Sequence, residues 1–129
     1  MTQKIIVIDE SDTVREQVSI VLSAAGYEII EAEDGLQGAN AIRENPDALL
    51  AICDVNMPKL SGLDMLELLG ARGDNANGAA SPLPVLMLTT EGRPDLIERA
   101  RSSGAKGWMV KPFKPTMLLA TVKKLARAA

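Results

Sequence analysis

The sequence has 129 residues, 47% of them hydrophobic and 24% charged, with a formal net charge of −3. This is the size and make-up of one soluble domain with a real core, expected to occupy residues 1–129 with no output domain, and its charge balance gives no support to nucleic-acid or membrane-surface binding. No signal-type segment or run of about 20 apolar residues occurs, so a cytoplasmic location is expected. With no histidine and a single Cys53, chemistry must run on carboxylates, hydroxyls, lysine and a hard metal.

Along the chain, short apolar runs alternate with segments of helical periodicity. Residues 4–8 read as a first strand. Val14, Val18, Val21, Leu22 and Ala25 then fall on one face of a helix that Ser11 or Asp12 can cap and Gly26 ends. Residues 27–31 form a shorter second strand. Asp34 can cap a second helix carrying Leu36, Ala39 and Ile42, which stops before Asn45-Pro46. Residues 49–53, 85–88 and 107–110 read as three further strands. The helices after them carry Leu63, Leu66 and Leu69, then Leu96, Ile97 and Ala100, then Leu118, Val122 and Leu125. Strands this apolar suit burial on both faces, and strict alternation predicts a doubly wound parallel α/β sheet. Segment 70–84, rich in Gly, Asn, Ala and Ser, reads as a long mobile connection inserted away from the site. Cys53 lies in an apolar run and reads as a buried, inert thiol.

In such a sheet, ligands bind outside the carboxyl ends of the strands. Asp9 and Glu10 end the first strand, Asp54 the third, Thr89 and Thr90 the fourth, and Lys111-Pro112 the fifth. Singly, each has an ordinary explanation. The acids can be solvated loop or capping residues, Asp54 a turn residue, Thr89 strand-end packing and Lys111 a surface charge. Together, three carboxylates at one edge would repel one another, and a hard oxygen-seeking cation such as Mg²⁺ would relieve that. Beside such a cation an aspartate can attack phosphorus, with Lys111 and the Thr89 hydroxyl placed to neutralise phosphoryl oxygens.

The segments IIVIDESDTVRE, CDVNMPKLSGLDML, PVLMLTTEG and GAKGWMVKPF, in that order and spacing, resemble a response-regulator receiver domain of two-component signalling over essentially the whole chain. Stand-alone receivers of the bacterial chemotaxis type are the most similar. The resemblance implies a flavodoxin-like (βα)5 fold with strand order 2-1-3-4-5. It implies Asp54 as phosphoacceptor, Mg²⁺ bound by Glu10, Asp54 and the main-chain carbonyl of Asn56, Asp9 acting through metal-bound water, and Thr89 and Lys111 gripping the phosphoryl group. Met57-Pro58 and Gly62 fit the family's turn after the acceptor, and Lys111-Pro112 its cis bond.

A histidine kinase as donor, a switch through Thr89 and Trp108, and a downstream protein bound through helix 4, strand 5 and helix 5 follow from the same likeness. So does a monomer or weak dimer that catalyses only its own phosphorylation and dephosphorylation. Asn56 and Glu91 stand where the family tunes the lifetime of the phosphoryl group, and their identities point to a short one.

Three residues depart from the commoner pattern. Glu10 replaces a second Asp, Thr90 a smaller residue with readier access to Asp54, and Trp108 a Tyr or Phe. The competing readings are a Mg²⁺-dependent aspartyl phosphatase and a phosphorelay intermediate. A phosphatase would prefer an acid where Asn56 stands. A flavin carrier lacks its glycine loop and aromatics, and a DNA-binding regulator lacks a second domain, although Lys123, Lys124 and Arg127 make the last helix basic.

Overall fold

In the computed structural model, which describes residues 3–71 and 83–128, the apolar runs become five parallel strands. These are β1 (Gln3–Ile8), β2 (Tyr27–Ala32), β3 (Leu50–Cys53), β4 (Val85–Thr89) and β5 (Gly107–Val110), in the order β2-β1-β3-β4-β5. Helices α1 (Asp12–Ala24), α2 (Gly35–Glu44), α3 (Gly62–Ala71), α4 (Pro94–Ser102) and α5 (Pro115–Ala128) make the crossovers. The doubly wound parallel sheet is as the alternation predicts, and its flavodoxin-like strand order is as the family resemblance implies.

Alternation along the strands divides the core into two layers. Ile5 and Val7 of β1, Leu50 and Ile52 of β3, and Leu86 and Leu88 of β4 pack with Val18, Leu22, Leu118 and Val122 of α1 and α5. Ile6, Ile8, Ala51, Cys53 and Met87 face the other way, toward Ala39, Leu63, Leu66 and Ala100 of α2, α3 and α4. Gly38 of α2 lies where a Cβ would come 2.8 Å from Ile8, so a glycine lets this helix lie close against β1.

The caps explain where the helices begin. Ser11, rather than Asp12, caps α1 by accepting from the Val14 amide at 3.2 Å, and Asp34 caps α2 by accepting from that of Gln37 at 2.8 Å. Gly26, at φ +98°, ends the α1 turn in the left-handed region.

Four strand ends differ by a residue from expectation, β1 starting at Gln3. β2 includes Ala32 and β4 Thr89, because each still pairs with its neighbour, Ile8 and Val110 respectively. β3 starts at Leu50. Helix α3 runs to Ala71, into the segment read as an insertion. The rest of that segment, residues 72–82, lies outside the described residues.

Candidate phosphoacceptor site

β1 and β3 are neighbours at the centre of the sheet, so their ends bring Asp9 and Asp54 side by side. Asp9 is 3% and Asp54 8% exposed. Lys111, just beyond β5, reaches across β4 to join them. Its Nζ donates to Asp9 Oδ2 at 2.7 Å and to Asp54 Oδ2 at 3.1 Å. Each acid's second oxygen is also engaged: Asp9 Oδ1 accepts from the Ser11 amide at 2.9 Å and Asp54 Oδ1 from the Asn56 amide at 3.3 Å.

Burial pushes the Lys111 ammonium toward losing its proton. The hydrogen bond to Asp9 and the charges of Asp54 and Asp9 more than offset this, so its pKa stands above the ordinary 10.5. Cys53, fully buried, donates from Sγ to the Asp54 carbonyl at 3.2 Å. Burial first, and the charges of Asp54 and Asp9 after it, raise its thiol pKa well above the ordinary value, in keeping with an inert thiol.

Of the three acids expected at this edge, two are tied together directly. Asp9 and Asp54 meet at the Lys111 ammonium, and Glu10, two residues past the end of β1, is exposed. Among the described residues no group of three or more His, Cys, Asp or Glu is arranged to hold a metal. The repulsion that a divalent cation was expected to relieve is here met by the Lys111 ammonium. Two nearly buried carboxylates within hydrogen-bond reach of one cationic nitrogen nonetheless form an all-oxygen donor pair suited to a hard cation.

Two loops frame the acids. After β3, the Lys59 backbone takes φ +67°, and Gly62 N–H donates to the Val55 carbonyl at 3.0 Å. A Cβ on Gly62 would lie 2.1 Å from the Asp54 carbonyl oxygen, so only glycine lets α3 start this close to the acceptor residue.

After β4, Thr89 is fully buried and its Oγ1 accepts from the Glu91 amide at 3.3 Å. Glu91 ties three neighbours together. Its carboxylate accepts from Asn56 Nδ2 at 3.2 Å, and its carbonyl accepts from Trp108 Nε1 at 2.9 Å. The sequence placed Asn56 and Glu91 in one role, and the fold puts them in direct contact. Trp108 is half-buried against the α2–α4 layer, and Thr90 is exposed. The Lys111-Pro112 bond is cis.

One contributor escaped the sequence reading. Arg15 of α1 is 7% exposed; its Nη1 donates to the Asp9 carbonyl at 2.5 Å, its Nε to Glu31 Oε1 at 3.0 Å, and its Nη2 pairs with Asp12. The available signal was a cation between Val14 and Val18 on the core-facing side of a helix, opposite the acid Glu31 near the end of β2.

A central acid pair, a buried hydroxyl and a lysine thus meet at the carboxyl edge of a doubly wound sheet, the architecture of a receiver domain. The chain belongs to the response regulator receiver domain family, whose model matches residues 5–123. It is 36% identical to chemotaxis protein CheY1 of Helicobacter pylori strain J99 over 116 residues, 89% of this chain and 90% of that protein. It is 31% identical to a chemotaxis protein CheY homolog of Campylobacter jejuni, over 89% of this chain and 85% of that one. The crystal structure of Vibrio cholerae chemotaxis protein CheY4 superposes with a TM-score of 0.84 at 33% identity, covering 97% of this chain and 99% of that one. Membership implies phosphorylation-dependent signalling.

Proposed function

We propose that the chain is a phosphorylation-activated switch that takes a phosphoryl group from a partner histidine kinase onto Asp54. The observation that carries this reading is the pairing of Asp54 with Lys111 and Asp9 at the carboxyl edge of the sheet. A carboxylate oxygen of Asp54 forms the new bond to phosphorus as the bond from phosphorus to the donor imidazole nitrogen breaks, and that nitrogen keeps the electron pair. Lys111 then exchanges its contact with the Asp54 carboxylate for one with a phosphoryl oxygen. The buried Thr89 hydroxyl, here an acceptor from Glu91, has its own proton to donate to another.

Glu10, Asp54 and the main-chain carbonyl of Asn56 would hold Mg²⁺, with Asp9 acting through a bound water; the ion would supply neutralisation of charge on the transferring group. Asn56 and Glu91, bonded to each other beside Asp54, control the approach of hydrolytic water. The chain's only catalysis is of its own phosphorylation and dephosphorylation.

Movement of Thr89 and the loop that holds Trp108 would pass the change to the face of α4, β5 and α5, where a downstream protein binds. Val110, 47% exposed, and Met117, 58% exposed, lend that face apolar contact area. Among the described residues no helix is long and apolar enough to cross a membrane, and a cytoplasmic site of action suits a kinase-fed switch.

The test is intact-protein mass spectrometry after incubation with acetyl phosphate and Mg²⁺. Wild type should gain one acid-stable, base-labile phosphoryl group, and Asp54→Asn should gain none; equal incorporation in the two would sink the assignment.

A further inference from the structure

Asp9 is held unusually completely for a residue just past a strand. Its amide donates to the Ala32 carbonyl at 3.0 Å, its Oδ1 accepts from the Ser11 amide, and its carbonyl accepts from Arg15 Nη1 at 2.5 Å. The first two bonds are backbone consequences of β1 pairing with β2 and of the start of α1. The third is different, since it needs a guanidinium kept almost entirely out of water. Such burial is costly unless the cation is paired, and here Glu31 of β2 and Asp12 of α1 both pair with it. The three donors of one rigid fork thus tie together the chain just past β1, β2 and the start of α1.

The carbonyl that Arg15 holds belongs to the Asp9–Glu10 peptide. That unit is planar, so fixing its oxygen fixes the direction in which the chain leaves Asp9, and with it the Cα of Glu10. Glu10 itself is exposed. We infer that Arg15 is a positioning residue for divalent-cation binding: by anchoring the Asp9–Glu10 peptide to β2, it directs the Glu10 carboxylate toward the edge where Asp54 lies. This rests on the Mg²⁺-dependent reading of the site given above. It assigns to an α1 cation, which touches no reacting group, control over how well the acids bind metal.

The sign of the effect separates this role from its competitors. Arg15 is a positive charge near a cation site, so by Coulomb's law alone its removal would tighten Mg²⁺ binding. A positioning role predicts the opposite, because loss of a partner that orients a ligand typically weakens metal affinity about tenfold or more.

The experiment is calorimetric titration of Mg²⁺ into the full chain for wild type, Arg15→Gln and Arg15→Lys, with the melting temperature of each measured in the absence of metal. Arg15→Gln is expected to bind Mg²⁺ about tenfold more weakly. Arg15→Lys, which keeps the charge but not the fork, should also bind more weakly than wild type. Tighter binding by Arg15→Gln, or affinity unchanged in both variants while the melting temperature falls, overturns the inference. Should Arg15→Gln fail to fold, Arg15→Lys alone decides by the same criterion. Failure of the underlying reading looks different: wild type would bind no Mg²⁺, or Asp54→Ala would bind it as well as wild type.

Discussion

Lys111 is the residue on which the site's electrostatics turn, since its single ammonium compensates two nearly buried carboxylates. Replacing it with methionine leaves Asp9 and Asp54 facing each other without a cation, a loss expected to cost about 3 kcal/mol in the absence of divalent metal. The pH dependence carries a defined sign. Because the folded-state pKa of Lys111 is raised above 10.5, its contribution is complete below that value and is lost as pH climbs through the higher folded one. In urea denaturation the gap between wild type and Lys111→Met should therefore be constant from neutral pH to about 10 and shrink only in stronger alkali; a gap that closes near neutrality would contradict the pairing.

A second single-residue test uses space in place of charge. Gly62→Ala would put a methyl 2.1 Å from the Asp54 carbonyl oxygen, whereas Gly26→Ala meets nothing within 4 Å and strains only a backbone at φ +98°. Gly62→Ala should lower stability by about 2–3 kcal/mol and reduce phosphorylation, and Gly26→Ala should cost about 1 kcal/mol with phosphorylation intact, measured by thermal melts and acetyl phosphate labelling. At this scale the sequence exposed Asp9, Asp54, Thr89 and Lys111, because strand ends deliver them. It concealed Arg15, because a charged residue in a helix reads as solvated until its partner on another element is known.

Between elements, the link from α3 to α4 is ionic as well as apolar. Arg99 on α4 donates from Nε and Nη2 to Glu67, at 2.9 Å in both cases, and from Nη2 to Asp64 on α3 at 2.8 Å. The hydrogen bond from Arg99 lowers the Glu67 pKa below its ordinary 4.5. This support therefore exists above 4.5 and is lost as pH falls through the lower folded value. All three groups are exposed, so salt screens them: the Debye length falls from about 10 Å at 0.1 M to about 3 Å at 1 M. Arg99→Ala should accordingly lower the melting temperature in dilute buffer and do so less in 1 M salt; a loss independent of salt would mean that the side chain acts by packing.

The sequence showed α4 through Leu96, Ile97 and Ala100 but not this clamp, whose partners lie 32 and 35 positions away in the chain. Elements were legible where periodicity was strong, as in α1 and α5. The β3 start was less so, because Leu49 is apolar and continues the run while its amide donates to the Lys4 carbonyl at 2.9 Å, just before the regular ladder. The extension of α3 to Ala71 was hidden by Gly70, which breaks the apolar pattern without ending the helix.

At the scale of the molecule, the sheet separates two apolar layers that meet only through its strands. Leu118 of α5 is fully buried in one layer, while Leu66 of α3 is buried in the other, against which Trp108 packs. Truncating either leucine to alanine should cost about 2–5 kcal/mol. The central strands β1, β3 and β4 send alternate residues into both layers, so neither layer can lose its packing without loosening the backbone that carries the other. One cooperative transition follows. Trp108 fluorescence and far-ultraviolet circular dichroism should report the same urea midpoint in wild type and in each variant. In Leu118→Ala both signals should shift together, although Trp108 belongs to the opposite layer. A shifted dichroism midpoint with Trp108 fluorescence unmoved would mean that the faces unfold separately. The same coupling bears on signalling: Asp54 and Trp108 are joined by hydrogen bonds through Asn56 and Glu91, above a sheet packed on both faces. A local change at the acid edge then has a short bonded route to β5 and rigid support on both sides of it.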